Sequence, residues 1–106
     1  MPAKVSNIFD PRPESEVGEQ IFPLIKTSDI CLESIVSHGQ STEEGFWYDQ
    51  PGAEWVLLTH GNATLKFEEE EIVELRSGDC LLIPAHAKHR VESCSGDARW
   101  LALHFR

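Results

Sequence analysis

Two side chains stand out for the chemistry they could do together: Glu54 and His89. Glu54 opens the run EWVLLT, where Glu54, Val56 and Leu58 alternate with Trp55, Leu57 and Thr59. A strand sends every second residue to one face, so Glu54 shares its face with two apolar residues. A carboxylate turned toward an apolar interior is costly unless it is paired or bound to a metal. His89, two residues before Val91, shares the parity of that valine. Alone it reads either as a hydrogen-bonded core imidazole or as a ligand. With Glu54 it either satisfies the carboxylate or supplies half of a metal site.

Three further positions extend this pair. Asp49 ends the run GFWYD, five residues before Glu54 across the turn QPGA. It either converges on the same pocket, with Trp47 on its face as an aromatic wall, or caps the turn. The final run, RWLALHF, has His104 on one face with Trp100 and Ala102. The opposite face, Leu101, Leu103 and Phe105, is more apolar and is the ordinary choice for a core. His104 and Trp100 therefore line a pocket only if the strand turns its less apolar side inward. His86, two residues after Pro84, is expected at the mouth, and His38 and His60 in loops.

The elements that would position these groups are short strands. EQIFPLIKT, ICLESIVS, GFWYD, EWVLLT, ATLKFE, IVELR, CLLIP, KHRVES and RWLALHF follow one another, separated by turn signals such as HGN and SGD. Pro23 suits an edge or a bulge. The best helix candidate, PRPESEVGEQ, is spoiled by two prolines and a glycine. Eight or nine strands at a spacing of about ten residues predict an all-β sandwich or small barrel. Residues 1–18 read as an N-terminal arm and 19–106 as the barrel. Glu68 to Glu71 are expected to form a solvated hairpin tip.

The chain has 106 residues, enough for one domain with a real core, and a formal net charge of -9. Such a surface repels nucleic acid and anionic membrane, so neither is an expected partner. Three scattered cysteines without a CxxC pair, and no apolar leader or span, predict a reduced, cytoplasmic protein.

SGDCLLIPAHAKHRV resembles the second motif of the cupin superfamily: Gly78, Pro84 and His89 match in spacing, with His86 where the family usually has glycine. Glu54 and Gly61 match the end of the first motif, whereas the family's two histidines are replaced by Trp47 and Asp49. The resemblance spans roughly residues 45–105. It implies an antiparallel double-stranded β-helix, or jelly-roll, barrel that is often dimeric, with a metal-binding interior. Glu54 and His89 fall at ligand positions, and of the other two only Asp49 can ligate.

The expected site is therefore a divalent metal centre (Zn, Fe, Mn or Ni) built from Asp49, Glu54 and His89, with His104 as an additional nitrogen. Trp47, His86 and Trp100 would form the substrate pocket. Three functions compete: a metal-dependent enzyme acting on a small organic molecule, a binding module for a sugar or organic acid, and a structural dimer. The outward Trp55 and Leu57 need cover, which predicts a homodimer.

Overall fold

Alternation of apolar and polar residues, broken by glycine and aspartate turns, yields eight strands in the computed structural model, which describes residues 3–9 and 19–106. They are β1 (Gln20–Lys26), β2 (Ile30–Val36), β3 (Ala53–His60), β4 (Asn62–Phe67), β5 (Ile72–Arg76), β6 (Cys80–Ile83), β7 (His89–Cys94) and β8 (Arg99–Phe105). All pairings are antiparallel. One sheet runs β1-β2-β8-β3-β6 and the other β5-β4-β7. The two form a jelly-roll barrel, and no helix occurs among the described residues. Among the described residues no helix is long and apolar enough to cross a membrane. Most of the expected arm lies outside the described residues, as does the rejected helix candidate except for Glu19 and Gln20, the latter opening β1; of the part described, the Ile8 carbonyl accepts a hydrogen bond from Arg99 at 3.0 Å.

The core lies between the sheets. Val56, Leu58, Ile83, Trp100 and Ala102 of the larger sheet meet Ala63, Leu65 and Leu75 of the smaller one, and Phe67 and Val91 pack against them. Glu54 and His89 are buried on the same inner faces, 8% and 6% exposed, so the alternation expected for β3, β4 and β7 is what the structure shows.

One expectation from strand pattern fails, and one alternative left open is resolved. GFWYD is not a strand: only Tyr48 bridges, pairing with His89. In β8 the less apolar face is the inner one, with Trp100 and Ala102 buried while Leu101, Leu103 and Phe105 are half-buried. That strand lies at the middle of a five-stranded sheet whose outer face is also apolar, so counting apolar residues did not distinguish its two sides.

Candidate functional site

Register brings the polar residues together. In antiparallel pairs, directly opposite residues point to the same side. Glu54 of β3 is opposite His104 of β8. His104 is in turn opposite Cys31 of β2, which puts Cys31, Glu33 and Ile35 on the inner face. His89 enters from the other sheet at the start of β7. The result is a cavity of about 170 Å³ whose walls include Glu19, Glu33, Tyr48, Glu54, His89 and His104, with Val56, Leu65, Ile83 and Trp100 among its apolar lining.

Glu54 is the centre of this cavity. Its carboxylate has His89 Nε2 at 3.6 Å from Oε1 and His104 Nε2 at 3.8 Å from Oε2. Both distances exceed hydrogen-bonding length, so among the described residues this buried carboxylate has two ionic neighbours and no hydrogen bond of ordinary length. His89 Nδ1 lies 2.8 Å from the Ala87 carbonyl, an acceptor only, so Nδ1 carries the proton that it donates. That fixes the ring with Nε2 toward Glu54. Burial alone would lower the affinity of His89 for a proton, but the facing Glu54 carboxylate and the Ala87 carbonyl outweigh it and push its pKa up. His104 Nε2 is held more closely by Glu33 Oε1, at 2.9 Å. At the mouth, burial raises the pKa of the Glu19 carboxyl; a hydrogen bond from Ser37 opposes this, and the Glu33 and Glu54 charges add to it.

The structure separates the remaining expected residues from the cavity. Asp49 does not line it; its Oδ1 lies 2.8 Å from Nδ1 of the exposed His86. Neither His86 nor Trp47 lines the pocket, which corrects the expectation that they would. The Arg90 guanidinium carbon lies 5.8 Å from the centre of the Trp47 ring. The reason is the bridge at Tyr48. Tyr48 lies opposite the inward His89 and must face inward too, which turns Trp47 and Asp49 the other way. The aromatic wall is therefore Tyr48, stacked on His89 at 5.6 Å, together with Trp100.

Glu33 and Glu19 were not anticipated. Glu33 alternates with Cys31 and Ile35, the same signal that exposed Glu54, but Ile30, Leu32 and Val36 make the other face of β2 equally apolar.

The donor types suit a divalent ion: two imidazoles and a carboxylate converge in a sheltered cavity, and the carboxylate lacks hydrogen bonds. As they stand, no three His, Cys, Asp or Glu side chains among the described residues are grouped to hold one.

The architecture is thus a two-sheet antiparallel barrel with carboxylate and imidazole groups directed into it. The profile of the Cupin domain matches residues 34–104, and the chain belongs to the cupin family. A protein from Ralstonia eutropha JMP134 described as a "putative mannose-6-phosphate isomerase" is 37% identical, with a TM-score of 0.90 over 97% of this chain and 98% of that one. An RmlC-like cupin protein from Desulfovibrio desulfuricans is 13% identical, with a TM-score of 0.78 over 97% and 96% of the two chains. The barrel also resembles cobalt(II) HppE in complex with substrate, at 16% identity and a TM-score of 0.71, covering 83% of this chain and 52% of that one. These last two show the fold alone. No curated protein matches the sequence.

Proposed function

We propose that the chain is an enzyme that acts on a small organic molecule in this cavity, with a divalent ion held by Glu54, His89 and His104. The observation that carries this reading is the buried Glu54 carboxylate, which has two imidazole Nε2 atoms at 3.6 and 3.8 Å and, among the described residues, no hydrogen bond of ordinary length. A group that sits between them and supplies positive charge removes the cost of burying it. Bound there, such an ion supplies Lewis acidity toward a carbonyl or a water molecule. The chain's own groups do the rest. His89 is fixed in orientation by Ala87. Glu33, outside the donor set but in the same cavity and 2.9 Å from His104 Nε2, is the carboxylate we assign to take up and return a proton, with Glu19 the other carboxylate of the wall. Tyr48 and Trp100 shape the wall. Asp49, paired with His86 and absent from the cavity lining, has no part in the set.

A second reading is a binding module without turnover, favoured by the absence among the described residues of a ready three-ligand group. Metal content after purification without chelators separates the two. One ion per chain, lost in both His89→Ala and Glu54→Gln, supports the first reading. A protein that binds no divalent ion at micromolar concentration supports the second. An ion retained by both variants places the metal elsewhere and defeats the donor set.

The homodimer is proposed from the outer face of the larger sheet. Ile25, Leu32, Leu103, Trp55 and Leu82 are consecutive cross-strand neighbours, one from each of its five strands. Ile25 and Leu82 are more than half exposed. A continuous apolar row of this kind is self-complementary across a two-fold axis. With a net charge of -9, neither nucleic acid nor membrane is proposed as a partner, and a cytoplasmic location is proposed from the free thiols.

A further inference from the structure

The charge of the cavity wall suggests what the cavity takes. Glu19, Glu33 and Glu54 all line it, and among the described residues no lysine or arginine does. Among the described residues its only potential cations are His89 and His104. Three carboxylates outnumber two protonated imidazoles, and they equally outnumber the two charges of a divalent ion beside neutral imidazoles. The wall is net negative either way. Lys26 and Arg106 line a separate recess that shares only Gln50 and His104 with the cavity.

Resting on the cavity as the functional site, we infer that its ligand is a small organic ammonium ion and not a phosphorylated or carboxylated molecule. Three features favour this class. Glu19 and Glu33 stand in the cavity outside the proposed donor set, and an ammonium group brings hydrogen-bond donors to such carboxylates. The rings of Tyr48 and Trp100 stand in the same wall and suit a cation beside them. Mutual repulsion already acts on the wall, since Glu33 and Glu54 both disfavour ionisation of Glu19, and a cationic ligand relieves it. The volume of about 170 Å³ restricts the ligand to a small molecule. A phosphate group would meet three carboxylates with no lysine or arginine among the described residues to receive it. On this point the chain's pocket disagrees with the substrate class in the name of its Ralstonia eutropha relative.

The test uses the full chain and matched probes of one shape: butylammonium, butan-1-ol and butyrate, followed by mannose 6-phosphate. Each is titrated at constant ionic strength, with and without one equivalent of zinc, while the side-chain NMR signals of His89 and His104 are followed. The expected order is butylammonium tightest, about tenfold ahead of butan-1-ol, a difference of about 1.4 kcal/mol, with butyrate and mannose 6-phosphate not shifting either imidazole. Glu33→Gln, which keeps a polar partner for His104, should weaken butylammonium about tenfold and leave butan-1-ol unchanged. If butyrate or mannose 6-phosphate shifts both imidazoles and binds more tightly than butylammonium, the ammonium inference is overturned while the cavity remains the ligand site. If no probe moves either imidazole, both the inference and the cavity as a ligand site are overturned.

Discussion

Tyr48 and His89 stand directly opposite one another, exchanging both backbone hydrogen bonds at 2.8 and 3.1 Å, with their rings stacked 5.6 Å apart. This one bridge aims the segment before β3. Tyr48 goes into the cavity with His89, and its neighbours Trp47 and Asp49 go out. Removing the ring in Tyr48→Ala should cost about 1–2 kcal/mol, the order expected for an aromatic pair plus partial burial. Tyr48→Phe should stay within about 0.5 kcal/mol, because it keeps the ring contact at a residue that is 37% exposed. Urea unfolding midpoints of the two variants check this, and equal losses would show that the ring contact is not what holds the segment.

The same histidine gives a pH dependence. Its pKa is raised in the folded protein by Glu54 and the Ala87 carbonyl acting against burial. A basic group raised on folding contributes stability that is complete below its unfolded value of about 6.5 and is lost as pH rises through the folded value. Metal-free protein should therefore unfold at higher urea at pH 5.5 than its Glu54→Gln variant would lead one to expect, with the gap closing by pH 8.5. NMR titration should place His89 above 6.5 in the wild type and lower in Glu54→Gln, where burial is opposed by Ala87 and a neutral amide.

How the chain closes its turns separates two glycines. Both Gly61 and Gly78 have positive φ, 88° and 94°. A Cβ on Gly61 would collide with Ser95 Oγ and press on Ala98 Cα, while one on Gly78 meets nothing. Ser95 Oγ also accepts the Asn62 backbone N–H at 3.0 Å, which the collision would break. Gly78→Ala should cost about 1 kcal/mol, the backbone term alone. Gly61→Ala should cost at least about twice that. Chemical denaturation of both variants measures the difference.

The outer apolar row makes a claim about assembly. Leu82 is 55% exposed and at the edge strand β6, so Leu82→Arg should leave the monomer folded, with stability changed by less than about 1 kcal/mol. It should dissociate the proposed homodimer. Sedimentation velocity at micromolar concentration should give a dimer for the wild type and a monomer for the variant. A wild-type monomer would remove the dimer.

Most of the barrel was legible in the sequence because period-two alternation and glycine turns are local signals. IVELR and RWLALHF match β5 and β8 residue for residue. Glu54 and His89 were legible for the same reason, as polar residues on otherwise apolar inner faces. Glu33 was not, because β2 is apolar on both sides. The orientation of Trp47 and Asp49 was not legible because it depends on a bridge to a residue some forty positions away. His104 was legible as a candidate but its direction was not, since β8 is packed on both faces.

The central claim is that Glu54 with His89 and His104, and not Asp49, forms the working centre. Calorimetric titration of divalent zinc into wild-type protein, Asp49→Asn and His104→Gln tests it most directly. The account predicts one site in the wild type, unchanged within about threefold in Asp49→Asn and weakened about tenfold or more in His104→Gln, as expected for loss of an imidazole donor. Weakened binding in Asp49→Asn with His104→Gln unaffected would contradict it.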